Sequence, residues 1–201
     1  MQNQVNNTIV EVGPADSGPA ECVTPQELYD HLNLNCGLAA VQSQLAEFIT
    51  VARMQFEADT DGRAVMPTIY EQHLTGWPDK AIRLERGRVT ELTSVKYYDP
   101  EEDEQTLEDV VVDVSGVPAL VYLTEGGWPA TSLTQPRPIT IEFIAGWASV
   151  ADVPADVKLA IKIMAGSFYS QRENYGETDF KIFPAGFARV CDRYRTGIKG
   201  Y

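Results

Sequence analysis

His73 and Glu71 form the pair of residues in this chain whose types and spacing best suit acid–base chemistry. In a strand, side chains two residues apart lie on one face, so that an imidazole and a carboxylate can share a proton. The same spacing is typical of an exposed polar strand face. No nucleophile elbow, phosphate-binding loop, dinucleotide-binding motif or zinc-protease motif accompanies the pair. We therefore expect no catalytic residue and no enzyme, and a small acid–base hydrolase is kept only as an alternative.

Metal binding is the second chemistry to consider, because the chain holds three cysteines and two histidines. These five residues are scattered along the sequence, and no C-x-x-C motif is present: Cys22, His31, Cys36, His73 and Cys191. A structural zinc site draws about four closely spaced ligands. An odd, scattered set of cysteines is also a poor disulfide framework. We expect no metal and no cofactor, with the thiols as small buried or half-exposed groups.

An acidic run between Asp99 and Asp109 carries seven carboxylates and no lysine or arginine. Its spacing does not match a calcium-binding loop, since no glycine supplies the sharp turn. The run predicts a solvated hairpin tip, and alternatively an electronegative patch that faces a partner or the bore of a channel. The candidate residues of this patch are Asp99, Glu101, Glu102, Asp103 and Glu104.

The C-terminal segment has the opposite sign, with five basic residues and one acidic residue from position 181 onward, in a chain of net charge −13. A subunit with two poles favours end-to-end association, because unlike poles attract. The same cations also stabilise the carbonyl end of a final helix. Both interpretations stay open. The overall excess of acid excludes a general nucleic-acid coat but suits a channel through which DNA slides.

Three tryptophans lie next to glycine in loop-like segments: Trp77, Trp128 and Trp147. Aromatic side chains in such loops can anchor an interface between proteins. They can equally cover the ends of a small sheet. The sequence does not choose between these two roles.

The elements that carry these residues follow from hydrophobic periodicity. Thr24, Pro25 and Glu27 form a capping box before a short helix that ends near Leu32. Apolar residues at three- and four-residue steps predict a long helix from about 38 to 58. Two more helices are expected, one that begins at Pro154 and one that begins at Pro184. Two-residue alternation predicts strands near Pro67–Leu74, Ala81–Arg86, Thr93–Tyr98, Val110–Val114, Ala119–Leu123 and Ile139–Ile144.

We therefore predict an α+β fold, in which two N-terminal and two C-terminal helices form a bundle with an inserted, mainly antiparallel β subdomain. The expected divisions are a flexible tail over 1–22, bundle helices over 23–63 and 151–196, the β subdomain over 64–150, and a short tail over 197–201. No apolar run suits a membrane helix, and the N-terminus does not resemble a signal peptide. We expect a soluble protein that is made in the cytoplasm.

The chain resembles the head–tail connector family of tailed phages, the adaptor that sits beneath the portal. The resemblance covers about residues 23 to 195 and depends on the order of several motifs. These motifs are Val23-Thr24…Glu27, Asp61-Gly62-Arg63-Ala64, Leu74-x-x-Trp77-Pro78, Leu92–Asp99, Gly127-Trp128-Pro129-Ala130, Pro138–Trp147 and Val153–Lys158.

The resemblance implies a non-enzymatic virion protein of the neck, between capsid and tail. Copies would form a ring, dodecameric in this family, that extends the DNA channel without sequence-specific DNA binding. Its other partners would be the portal and a stopper or tail protein, with no membrane. A stopper or tail terminator is the alternative within the neck. The C-terminal segment would reach the portal, with candidate contacts at Phe187, Arg189, Arg193, Tyr194, Arg195, Lys199 and Tyr201.

Overall fold

The computed structural model describes residues 7–15, 21–171 and 184–197. These ranges contain four α-helices: α1 (Pro25–His31), α2 (Leu38–Asp59), α3 (Ala155–Gln171) and α4 (Ala185–Tyr194). The same ranges contain eight strands: β1 (Asn7–Pro14), β2 (Thr68–Leu74), β3 (Ile82–Leu84), β4 (Val89–Tyr98), β5 (Glu104–Thr106), β6 (Val110–Asp113), β7 (Ala119–Leu123) and β8 (Ile139–Ala145). The predicted α+β class, with helices before and after a mainly antiparallel β region, is confirmed.

The helices share one hydrophobic core. α1 begins with the predicted capping box, in which the backbone N–H of Glu27 donates to Thr24 Oγ1 at 3.2 Å and the Glu27 carboxylate accepts from the Thr24 backbone at 2.7 Å. α2 buries one stripe and packs against both α1 and α3. The largest fully buried side chains of this core are Leu28, Leu45, Ile49, Phe56, Ile161 and Phe187.

The strands form two antiparallel sheets that face each other over a second core. The five-stranded sheet has the order β1-β2-β8-β4-β5, and the three-stranded sheet has the order β3-β7-β6. β8 alternates strictly, with Ile139, Ile141, Phe143 and Ala145 buried, because its inner face meets the other sheet. Alternating burial of this kind is expected where only one face of a sheet packs on a core.

Strand β1 corrects, for residues 7–14, the expectation of a flexible tail over residues 1–22. Asn7–Pro14 pairs with β2 in an antiparallel register that runs from Asn7 opposite Leu74 to Pro14 opposite Thr68. Ile9 packs against the β core from this strand. The strand was not predicted because its few apolar residues stabilise it only when β2 supplies the ladder hydrogen bonds.

The two cores meet at a short junction between α2 and β2. Glu57 Oε1 accepts the backbone N–H of Val65 at 2.9 Å, and Glu57 Oε2 pairs with Arg53 at 2.9 Å. Burial raises the pKa of the Glu57 carboxyl, although the Arg53 charge opposes this shift. A side chain at Gly146 would collide with the Met66 carbonyl, so only glycine lets β8 leave the sheet here.

Candidate interaction surfaces

The acidic run forms an ordered turn between β4 and β5 rather than a loose loop. Asp99 Oδ1 accepts the backbone N–H groups of Glu101 and Asp103, both at 3.0 Å, and Asp99 Oδ2 accepts from Gln105 Nε2 at 2.8 Å. These hydrogen bonds, led by that from Asp103, lower the pKa of Asp99. The predicted hairpin tip is therefore present, with its carboxylates facing solvent.

Two further contacts brace this turn. Lys96 lies 3.6 Å from the carboxylate of Glu104, and the hydroxyl of Thr134 donates to Glu102. Glu102 itself has a φ of 70°, a left-handed conformation at the tip of the turn. The acidic patch thus consists of the half-buried Asp99 and four exposed carboxylates: Glu101, Glu102, Asp103 and Glu104.

The basic end lies on α4, at the other end of the molecule. Strand β4 connects the two ends. It starts next to the helical core, because Val89 pairs with Ala145, two residues before the buried Trp147. It ends at Tyr98, immediately before the acidic patch. Ten residues of strand span about 33 Å. The described part of the chain is therefore electrically polarised along its length, as the sequence indicates.

The end of α4 is fixed to the turn that follows α2. Arg63 Nε donates to the Tyr194 carbonyl at 2.7 Å, and the Thr196 backbone N–H donates to the Thr60 carbonyl at 3.2 Å. Tyr194 is half-buried, with its hydroxyl donating to Asp156 at 2.9 Å. Tyr194 therefore holds α4 in place, and its role as a portal contact stays a prediction.

The other predicted portal contacts divide into three groups. Phe187 is fully buried and packs edge-on against Phe56, with ring centroids 6.4 Å apart, so it is a core residue and not a surface contact. Arg189, Arg193 and Arg195 are exposed on α4 or at its end. Lys199 and Tyr201 lie outside the described residues.

Two of the exposed arginines are already engaged within the chain. Arg193 pairs with Asp156 at 2.6 Å, and Arg195 lies 3.6 Å from Asp192 while it donates to the Asp59 carbonyl at 3.3 Å. Both remain more than half exposed, so solvent screens these pairs and the arginines can still bind an acidic partner.

The three tryptophans have two different environments. Trp77 and Trp128 stack in parallel with centroids 4.7 Å apart, and Trp77 Nε1 donates to the Pro129 carbonyl at 2.8 Å. The pair covers the distal end of the β core and stays half-buried. Trp147 is only 3% exposed and packs in the helical core beneath Arg88, which rules out its role as an exposed interface aromatic.

The histidine–glutamate pair lies on the outer face of the five-stranded sheet. His73 Nε2 is 3.5 Å from Glu71, and His73 Nδ1 is 3.1 Å from the Thr140 hydroxyl. All three side chains are half-exposed and belong to a polar cross-strand row. This environment is that of a solvated sheet face, on which a substrate would not be held away from water.

A half-open cleft lies where β1 crosses the junction of the two cores. Its charged lining includes Glu11, Glu57, Asp61, Glu85 and Arg86. The Arg86 guanidinium lies over the Tyr70 ring at 4.9 Å. A lining of mixed charges such as this suits polar contact with another surface.

The described residues contain no group of three or more His, Cys, Asp or Glu side chains placed to hold a metal ion. Cys22 and Cys191 are buried, and Cys36 is exposed. Within the described ranges, no helix combines the length and the apolar character that crossing a bilayer requires.

Sequence reasoning missed a set of exposed apolar residues. Val10 and Val12 on β1 are 45% and 54% exposed, Val111 on β6 is 53% exposed, and Leu133 on the loop beside the acidic patch is 99% exposed. Alternation alone cannot mark such residues, because a valine that faces solvent looks the same in sequence as one that faces a core.

Solved structures that contain chains with this fold include three of gene transfer agent (GTA) particles. One is the neck of an empty GTA particle computed with C6 symmetry, with a TM-score of 0.77, 22% identity, and coverage of 94% of this chain and 95% of that chain. The virion of a native gene transfer agent particle gives a TM-score of 0.74 at 22% identity, with the same coverage. The neck of a native GTA particle computed with C12 symmetry gives 0.72 at 21% identity, again with the same coverage.

No family model and no curated protein matches the sequence. The similarity to these solved chains shows a shared fold, which covers nearly the whole of this chain and of each matched chain.

Proposed function

We propose that this chain is a structural subunit of the neck of a tailed phage or phage-like particle, where it acts as the head–tail adaptor. Copies form a closed ring, expected to hold twelve subunits, between the portal and the stopper or tail. The ring extends the channel through which the genome passes, and no bond is made or broken by the protein.

One observation carries this proposal: a chain in a GTA neck shares the fold over 94% of this sequence at a TM-score of 0.77. That neck was computed with C6 symmetry, and a second one with C12 symmetry, which supports a ring of copies. The core built from two N-terminal and two C-terminal helices favours an adaptor over a stopper or tail terminator, because those are expected to be richer in strands.

The charge layout supports a protein that works between two different neighbours. The exposed arginines of α4 supply a basic end for an acidic surface of the portal, and the acidic patch lies at the distal end of the β subdomain. There it faces either the next component or the bore, where carboxylates repel DNA and let it slide.

Removal of the protein tests the proposal. Particles assembled without it should contain heads that package DNA but carry no tails, and the missing protein supplied in trans should restore tails. Tailed, infectious particles formed in its absence would contradict a neck function.

The portal-facing end is tested by charge reversal at Arg189 and Arg195. Arg189→Glu with Arg195→Glu should weaken attachment to portal-bearing heads, because both side chains are exposed. An unchanged circular dichroism spectrum shows that loss of the Arg195 hydrogen bond to Asp59 has not unfolded the variant. Lys80→Glu, an exposed reversal near the distal end, serves as the matched control. Equal attachment of both variants would move the portal contact away from α4.

A further inference from the structure

The four edges of the two sheets are not protected equally. An unpaired strand edge presents N–H and C=O groups to any passing strand, and folded proteins normally cover or charge such edges. Within the described residues, the edges of the five-stranded sheet are β1 and β5, and those of the three-stranded sheet are β3 and β6.

Two of these edges are protected. β3 is closed by the side chain of Gln72, whose Nε2 donates to the Arg83 carbonyl at 2.7 Å and whose Oε1 accepts the Glu85 N–H at 2.9 Å. The amide thus takes the place of a neighbouring strand. β5 is only three residues long and exposed, and it begins at Glu104 of the acidic patch, so that it repels a further strand of an acidic protein.

The edges β1 and β6 are less protected in the described part of the chain, because the bulge between Glu11 and Gly13 interrupts only the end of β1 and Asp113 stands only at the end of β6. β6 has the sequence Val110-Val111-Val112-Asp113, and β1 carries Val10 and Val12 exposed to solvent. In an antiparallel ladder, hydrogen-bonded and non-hydrogen-bonded residue pairs alternate. Asp109 and Thr124 form a hydrogen-bonded pair, since the Thr124 N–H donates to the Asp109 carbonyl. Val112, three residues further along β6, is therefore in a non-hydrogen-bonded pair, and its N–H and C=O point away from β7. Both strands therefore combine apolar side chains with ladder groups that have no strand partner among the described residues.

These two edges lie on opposite sides of the β subdomain. β1 is the edge strand next to β2, and the Gln72 side chain of β2 is hydrogen-bonded to β3. β1 and β3 therefore lie on the same side of the β subdomain. β6 is the far edge of the second sheet and follows β5 after only three residues, with the Leu107 N–H bonded to the Val95 carbonyl of β4. A cyclic ring needs two different surfaces on opposite sides of each subunit, since every contact is head-to-tail.

We propose that β1 of one copy pairs with β6 of the next copy, so that the sheets of neighbouring subunits join around the ring. This inference rests on the proposed ring function and names the contact that builds it. A second copy is the occupant because the two edges lie on opposite sides of one chain, as head-to-tail contacts require, and each edge exposes valine in a chain of net charge −13. Each strand keeps one carboxylate, Glu11 on β1 and Asp113 on β6. Main-chain hydrogen bonds supply the affinity, and Val10, Val12 and Val111 supply an apolar seam.

Opposite charges placed on the two edges test the pairing. Val10→Glu alone and Val111→Lys alone should each lower the yield of tailed particles about tenfold or more, because each places an unpaired charge in every subunit contact. Co-expression of the two variants should restore tails, since alternating copies bring the introduced carboxylate of one variant against the introduced ammonium of the other. Val10→Thr and Val111→Thr, which keep the shape, should assemble like the wild type.

A cross-link gives the direct readout. In a Cys36→Ser background, Val10→Cys with Val111→Cys and a short thiol cross-linker should produce a ladder of multimers from intact particles. Either substitution alone should leave monomers, because its cysteine then lies opposite a valine of the next copy. Wild-type assembly by both single charge variants, or defective variants that co-expression does not rescue, would overturn the pairing. Absence of the wild-type chain from the neck would instead overturn the proposed function.

Discussion

The side-chain oxygen of Gln72 accepts the backbone N–H of Glu85 at 2.9 Å, which joins the middle of one sheet to the edge of the other. Gln72 is fully buried, and its amide nitrogen donates in turn to the Arg83 carbonyl. A buried amide is tolerated in a β core only when its hydrogen bonds are made. This residue therefore fixes how the two sheets face each other.

Gln72→Leu should destabilise the protein by about 1–3 kcal/mol, because it removes the side-chain partner of the half-buried Glu85 N–H and of the Arg83 carbonyl. Urea unfolding followed by circular dichroism measures the change. His73→Leu, on the outer face of the same strand, is the control and should cost less than about 1 kcal/mol. Equal losses in both variants would mean that the Gln72 hydrogen bonds do not hold the sheets together.

The stacked tryptophans should contribute to stability within one subunit. Trp128→Ala removes the ring that lies 4.7 Å from Trp77 and should cost about 2–3 kcal/mol, with a change in near-ultraviolet circular dichroism. Leu133→Ala, on the same loop but 99% exposed, should cost less than about 0.5 kcal/mol. If Trp128→Ala unfolded like the wild type but failed to assemble, the pair would be an interface anchor instead.

Cysteine reactivity should report the burial of two thiols. Burial raises the pKa of Cys22 and of Cys191 to about 12, so neither forms much thiolate at pH 8. A thiol reagent should therefore modify one cysteine rapidly in the folded protein, and three after denaturation. Cys36→Ser should abolish the rapid reaction, and a rapid reaction that survived it would show that a core thiol is accessible.

The acidic turn should respond to pH in a defined direction. Hydrogen bonds from the turn lower the pKa of Asp99 below its ordinary value of 3.8. The ionised carboxylate therefore stabilises the turn fully above pH 3.8, and this stabilisation is lost as the pH falls through the lowered pKa. The amide resonances of Glu101 and Asp103 should move together in an NMR titration, with a midpoint below 3.8. Asp99→Asn should remove this transition, and a midpoint at or above 3.8 in the wild type would contradict the geometry.

Much of the fold could be predicted because the periodicity is strong. β7 has the predicted bounds, and the acidic run joins two strands as expected. β5 was not predicted because its three residues are polar, and β1 was not predicted because its pairing partner lies far away along the chain. Strand order, which decides which valines lie on open edges, is a tertiary property and has no local signal.

The candidate surfaces were predicted less well than the fold. The spacing of Phe187, Val190, Cys191 and Tyr194 is that of an apolar helix stripe, and it should have assigned Phe187 to the core. Trp147 continues from the buried alternation of β8, which is a similar signal. The acidic patch and the exposed arginines were recognised because charge alone, without knowledge of packing, predicts exposure.

Cryo-microscopy of the intact particle neck tests most directly whether this chain acts as a ring between head and tail. We predict a closed ring of copies around the path of the genome, with α4 towards the portal and β1 of each subunit beside β6 of the next. Density for the chain anywhere else in the particle, or its presence as isolated copies that do not surround the channel, would contradict this function.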